Sequence, residues 1–123
     1  MLCQIPEIAK GVISLFASGR ITAQDYRTRL QPAIKRYRED WGQVCLYIEA
    51  DVLLEGWEQA SLSGAGEVQL PPFDALVFVG GPDWVGNAIR LLGPFVRGEV
   101  AWFPLQDKAK AIEWIQKRSQ VKV

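Results

Sequence analysis

Histidine is absent from this chain of 123 residues. Without an imidazole, the chain offers no Ser-His-Asp or Cys-His catalysis, no imidazole general base and no His-ligated metal. Cysteine is scarce. Cys3 and Cys45 are too few for a disulfide scaffold and lack metal-ligand spacing. Cys45 falls inside the apolar run Val44-Cys45-Leu46-Tyr47-Ile48, where a thiol reads as a small buried hydrophobe. No apolar run approaches the roughly 18 residues that mark a transmembrane helix. Pro6 and Glu7 interrupt the first apolar stretch and no basic segment precedes it, so no signal peptide is expected. These absences predict a soluble cytoplasmic protein with reduced thiols.

Bases are missing from residues 39–83, which hold nine acids and no lysine or arginine. They collect on either side: residues 20–38 carry Arg20, Arg27, Arg29, Lys35, Arg36 and Arg38 against Asp25, a net of +5, and residues 84–123 carry a net of +4. The whole chain balances at 14 bases and 14 acids. Segregation of this kind can give one basic and one acidic surface on a neutral protein. Zero net charge, a pI of about 6.3 and the lack of a recognised module argue against nucleic acid as a partner. What the chain has in quantity is apolar residues, 49% of the total, with 23% charged. That mixture fits one globular domain over residues 1–123, large enough to fold around a core without metal or disulfide staples.

Periodicity divides that domain into elements. Residues 2–9 form a short apolar segment in which Pro6 points to an edge strand. Between Gly11 and Gly19, Val12, Ser14, Phe16 and Ser18 alternate with Ile13, Leu15 and Ala17, which is strand period; the two segments predict a hairpin. Thr22 then reads as an N-cap with Asp25 at N3, close to a capping box. Ala23, Tyr26, Leu30, Ala33, Ile34, Tyr37 and Trp41 share a helix face about 100° wide. This helix ends near Gly42, and Pro32 inside it predicts a kink. Gln43–Ala50 is a continuous apolar run of the type buried on both faces, and a short helix is expected around Glu55–Leu62. Ser63-Gly64-Ala65-Gly66 and Pro71-Pro72 read as loops. Asp74–Val79 is a second buried strand, and Gly80-Gly81-Pro82 leads into a helix that stops before Gly93-Pro94. Val100–Phe103 is a third central strand and Asp107–Lys117 a last helix. The order is ββαβαβαβα. It implies an α/β sandwich with a mostly parallel sheet of about five strands, an antiparallel hairpin at one edge, and about four helices.

The stretch Ala17-Ser18-Gly19-Arg20-Ile21-Thr22-Ala23-Gln24-Asp25-Tyr26, followed by Pro32-Ala33-Ile34, resembles the opening of the bacterial SpoIIAA-like family of STAS/CRAL-TRIO-like small proteins. So do Leu54-Glu55-Gly56-Trp57, Asp83-Trp84, Gly98-Glu99-Val100-Ala101-Trp102-Phe103-Pro104-Leu105 and Ala111-Ile112-Glu113-Trp114-Ile115. The resemblance implies a STAS-type fold, which is also the core of CRAL-TRIO lipid carriers. It further implies a small, cytoplasmic, oligomeric protein that binds a lipid-like ligand near a membrane or a regulatory protein partner. The anti-sigma-factor antagonists of the family carry an Asp-Ser pair where the second parallel unit enters its helix. Here that region reads Glu49-Ala50-Asp51-Val52-Leu53-Leu54-Glu55-Gly56, without a serine, and Ser61 and Ser63 come only later. In residues 58–73, polar, glycine and proline residues stand in place of a longer helical pattern, and mobility is expected there, with a lid role left open.

No residue set points to catalysis, to a metal or to a cofactor. Gly80-Gly81-Pro82-Asp83-Trp84-Val85-Gly86 is a glycine-rich strand-to-helix turn without dinucleotide or Walker spacing, and Asp83 would repel a phosphate. Glu49/Asp51 and Glu55/Glu58 are paired carboxylates without a third ligand. Five tryptophans are many for this length; Trp102 and Trp114 read as core, whereas Trp57 and Trp84 start helices just after central strands. Open α/β sheets bind ligands at the carboxyl ends of their strands. The expected ligand-binding residues are therefore Asp51, Leu53, Leu54, Trp57, Asp83 and Trp84. The expected function is non-catalytic binding of a small apolar or lipid-like ligand, with peripheral membrane contact through Arg27, Arg29, Arg36 and Arg38. The alternative is a STAS-type protein-interaction module lacking the phosphorylatable serine.

Overall fold

Every strand of the sheet obeys the same two-residue alternation, and the alternation sorts the core into two layers. A computed structural model describes residues 1–57, 73–92 and 98–119, without the side chains of Ala23, Trp57 and residues 89–92. Its elements are β1 (Leu2–Gln4), β2 (Val12–Ala17), β3 (Arg20–Ile21), α1 (Ala23–Asp25), a π-helical turn (Tyr26–Leu30), α2 (Gln31–Trp41), β4 (Cys45–Ala50), β5 (Gly56–Trp57), β6 (Ala75–Gly80), α3 (Trp84–Leu92), β7 (Glu99–Phe103) and α4 (Lys108–Ser119). The main sheet has the order β1-β2-β4-β6-β7. β1 runs antiparallel to β2, and the other three pairings are parallel. The register sets Val12 beside Cys45, Cys45 beside Ala75 and Ala75 beside Glu99.

One face of this sheet carries Ile13, Leu15, Ala17, Leu46, Ile48, Ala50, Leu76 and Phe78, packed with Tyr26, Leu30, Ala33, Ile34 and Val85 from the helices. The other face carries Val12, Cys45, Tyr47, Ala75, Val77 and Val79 and packs against Ala111 and Ile115 of α4. β2, β4 and β6 bury side chains on both sides, which is why their sequences read as unbroken apolar runs. β7, at the far edge, is only half-buried along most of its length. Ser14 is the one buried polar residue of the described core. Its hydroxyl donates to the Val12 carbonyl at 3.2 Å and accepts the Ile8 amide at 3.1 Å, tying the β1–β2 connection to the sheet.

The first helix begins as its sequence implies. Asp25 Oδ2 accepts the Thr22 amide at 2.8 Å and Thr22 Oγ1 accepts the Asp25 amide at 3.1 Å, a reciprocal capping box. The kink expected at Pro32 takes the form of the π-helical turn at Tyr26–Leu30, just before the proline. A proline has no amide to give and its ring collides with the carbonyl four residues back, and the wider turn accommodates both. Gly42 closes α2 in the left-handed region, donating to the Arg38 carbonyl at 2.9 Å. Trp41 is partly exposed and covers Gly11, with the Lys10 ammonium 5.9 Å above its ring.

Two differences from the expected order stand out. Arg20–Ile21 and Gly56–Trp57 form a small parallel ladder, so the helix expected from Glu55 does not begin there. An isolated pair of two-residue strands has no periodicity to announce it, and its partner lies 36 positions away in sequence, Arg20 pairing with Gly56. The rest of that expected helix, and the mobile segment expected over residues 58–73 apart from Phe73, lie outside the described residues. Three helices rather than four are seen among the described residues: the capped helix interrupted by its π turn, α3 and α4.

Candidate functional site

The four parallel strands end together, and the segments that leave them build one end of the molecule. After β4, the Asp51 carboxylate organises the chain: Oδ1 accepts the Leu53 amide at 3.0 Å and Oδ2 accepts the Ser18 hydroxyl, from the end of β2, at 2.9 Å. The Asp51 carbonyl accepts the Leu54 amide at 3.2 Å, and Glu55 donates its amide to Gly19 at 2.7 Å. A turn pinned at both ends in this way presents its tip outward and folds its exit back inward. Val52 and Leu53 are accordingly 77% and 67% exposed, whereas Leu54 is 2% exposed and belongs to the core.

After β6 the chain turns through Gly80 and Gly81, whose φ values of 80° and 82° lie in the left-handed region that favours glycine. A Cβ on Gly80 would come within 2.7 Å of the Ala50 carbonyl oxygen, so the turn also needs the missing side chain for space. The Gly81 amide donates to that carbonyl at 3.1 Å, and Trp102 Nε1 donates to the Gly80 carbonyl at 3.0 Å. Gly86 packs directly beneath the Trp102 ring, which draws α3 onto β7. So fixed, the turn buries Val85 and leaves Asp83 and Trp84 outside, Trp84 at 38% exposure.

Leu105, just past β7, is 55% exposed, and its Cβ lies 3.7 Å from the position a Cβ on Gly80 would take. Met1, 51% exposed, stands at the same end because β1 is antiparallel; its ammonium donates to the Ser18 and Arg20 carbonyls and lies 3.8 Å from Asp25. Among the described residues, five of the six exposed large hydrophobic side chains therefore share the carboxyl end of the sheet: Met1, Val52, Leu53, Trp84 and Leu105. The sixth is Trp41, at the opposite end.

Of the residues singled out from the sequence, Leu53, Asp83 and Trp84 are exposed at this end. Asp51 shapes the turn beneath them, and Leu54 underlies it from the core. Trp57 contributes backbone pairing to Ile21, and its side chain lies outside the described residues. Glu49 and Asp51 do not act as a pair: Glu49 accepts the Tyr47 hydroxyl at 2.9 Å and meets Lys108 Nζ at 3.0 Å on the α4 face, whereas Asp51 is engaged by Ser18 and Leu53. Sequence reasoning missed Met1, Val52 and Leu105. Val52 could have been included as the first of three apolar residues after a strand, and Leu105 as an apolar residue following Pro104 at a strand end.

Burial shifts the titration of Cys45, Tyr37 and Tyr47. Burial raises the Cys45 thiol to about 11, and burial together with the bond to Glu7 raises the Tyr37 hydroxyl to about 12. Burial and the bond to Glu49 raise Tyr47 further still. None of the three is an exposed residue of the carboxyl end, and the described residues there form no group of three carboxylates or thiols placed to hold a metal. Arg27, Arg29, Arg36 and Arg38 are exposed on the π turn and α2, whose apolar stripe is spent on the sheet.

No curated protein matches the chain. A crystal structure of an uncharacterized DUF3478-family protein with a SpoIIAA-like fold, from Shewanella loihica PV-4, is similar with a TM-score of 0.59 and 19% sequence identity over 93% of each chain. At that identity the likeness is one of fold. The SpoIIAA-like family model matches residues 12–116. That span runs from the first residue of β2 to the last turns of α4, and the chain belongs to the SpoIIAA-like family.

Proposed function

We propose that this protein is a non-catalytic binding module whose working surface is the carboxyl end of its sheet, where it holds an apolar or amphipathic partner. The observation that carries this reading is the gathering of Met1, Val52, Leu53, Trp84 and Leu105 at that end. Scattered exposed hydrophobics are ordinary on a soluble surface, but several at one ligand-binding edge of an α/β sheet mark an interaction site. Asp51 and the Gly80-Gly81 turn hold these side chains out from rigid strand ends, so the surface is formed before the partner arrives and costs little ordering on binding.

The partner can be a small lipid-like molecule, as the family resemblance suggests, or another protein. The outward presentation of Val52 and Leu53, 77% and 67% exposed, favours a broad partner surface over a guest enclosed between walls. This supports the reading of a STAS-type interaction module, and a second copy of the chain is one such partner. Membrane contact through Arg27, Arg29, Arg36 and Arg38 would be chiefly electrostatic, because Tyr26, Leu30, Ala33 and Ile34 beside them are buried in the core and cannot insert.

Titration with the neutral dye Nile red tests the reading. The native chain should enhance dye emission saturably, and the Val52→Ser/Leu53→Ser double variant should weaken the affinity by about tenfold or more, since each apolar side chain contributes on the order of 1 kcal/mol when covered. No enhancement with the native chain, or equal enhancement with the folded variant, would refute it.

A further inference from the structure

Resting on the binding reading above, we propose that the carboxyl end of the sheet docks a basic amphipathic polypeptide segment. The argument comes from the charges that border its apolar residues. Asp83 immediately precedes Trp84 and Glu55 follows the Val52–Leu54 turn. Both are exposed, and neither carboxylate has an ion pair or hydrogen bond to a described residue. Among the described residues, three nearby cations are already engaged: Lys108 by Glu49 at 3.0 Å, Lys110 by Asp107 at 4.0 Å, and the Met1 ammonium by two carbonyls and Asp25. Among the described residues, Arg20 on β3 is an exposed base on this side. Apolar tips beside two unneutralised carboxylates complement a partner that presents lysine or arginine next to leucine-like side chains. The same carboxylates oppose an anionic bilayer, whose surface attracts bases and repels acids.

Geometry favours a helical segment. Four parallel strand ends spaced by about 4.8 Å span roughly 14 Å, and a helix of about ten residues covers that length. Apolar residues at i, i+3, i+4 and i+7 of such a helix would lie along Leu53, Trp84 and Leu105, with flanking bases toward Glu55 and Asp83.

The test uses the full chain and two fluorescently labelled synthetic peptides of equal length and identical apolar face, one of leucine and lysine, the other of leucine and glutamate. Fluorescence anisotropy should show the lysine peptide binding at least tenfold more tightly than the glutamate peptide, with an affinity that falls as salt is added. The Glu55→Gln/Asp83→Asn double variant should erase most of that preference. Nile red uptake with no preference between the peptides, or phosphatidylglycerol vesicles bound more tightly than the lysine peptide, would overturn this inference and leave the binding reading standing. Absence of both dye and peptide binding would overturn the two together.

Discussion

Gly80 shows how much a single residue controls at the carboxyl end. Its φ of 80° and the 2.7 Å approach that a Cβ would make to the Ala50 carbonyl are separate reasons for glycine, one conformational and one steric. Gly80→Ala should destabilise the protein by at least about 2 kcal/mol, measured by urea unfolding, as expected for a backbone strained against a fixed neighbour. A loss below about 0.5 kcal/mol would mean that the turn does not depend on this conformation. Cys45 offers a second test. Burial first, and then the Asp74 charge, raise its thiol from 9.0 to about 11. The unfolded thiol loses its proton first, so the contribution of Cys45 to stability is complete below pH 9 and is lost as the pH rises toward about 11. Tyr37 acts in the same direction between about 10 and about 12. At pH 8 an aromatic disulfide reagent should therefore label half-buried Cys3 at least tenfold faster than buried Cys45, whose labelling should follow global unfolding.

At the scale of elements, the capping box makes the first helix readable in the sequence. Thr22 and Asp25 exchange two hydrogen bonds across the first turn, and Thr22→Ala should cost about 1 kcal/mol in thermal or urea unfolding. A neutral outcome would show that the π turn, not the cap, sets where this helix starts. The strands were equally legible, because β2, β4 and β6 bury both faces and leave no polar interruption. The β3–β5 ladder was not. Each strand has two residues, too few to show a period, and their pairing depends on Glu55 reaching Gly19 across the turn that Asp51 builds.

Across the whole molecule, adjacent residues answer to different demands. Leu54 is part of the core, so Leu54→Ala should cost about 2–5 kcal/mol. Val52 and Leu53 face outward, and replacing both by serine should change stability by no more than about 0.5 kcal/mol each while lowering Nile red affinity. Urea unfolding of the two variants separates the roles. Equal losses would mean that the turn is packed against the body of the protein and is not a surface held ready for a partner.

The amino-acid sequence by itself determined the class of the fold and the order of the main-sheet strands, because apolar periodicity, caps and glycine-proline breaks are local signals that each segment carries alone. It also implied that the parallel strands share one carboxyl end, since parallel strands must all finish on the same side. Only the tertiary structure decided which residues stand outside there. Leu53 and Leu54 are identical in kind and neighbours in the chain, yet hydrogen bonds from the Ser18 hydroxyl to Asp51 and from the Glu55 amide to Gly19 turn one toward solvent and the other into the core. Met1 and Leu105 reach the same end from distant parts of the chain, one through an antiparallel edge strand and the other past the last parallel strand. Exposure depends on contacts between segments remote in sequence, and no local pattern encodes them.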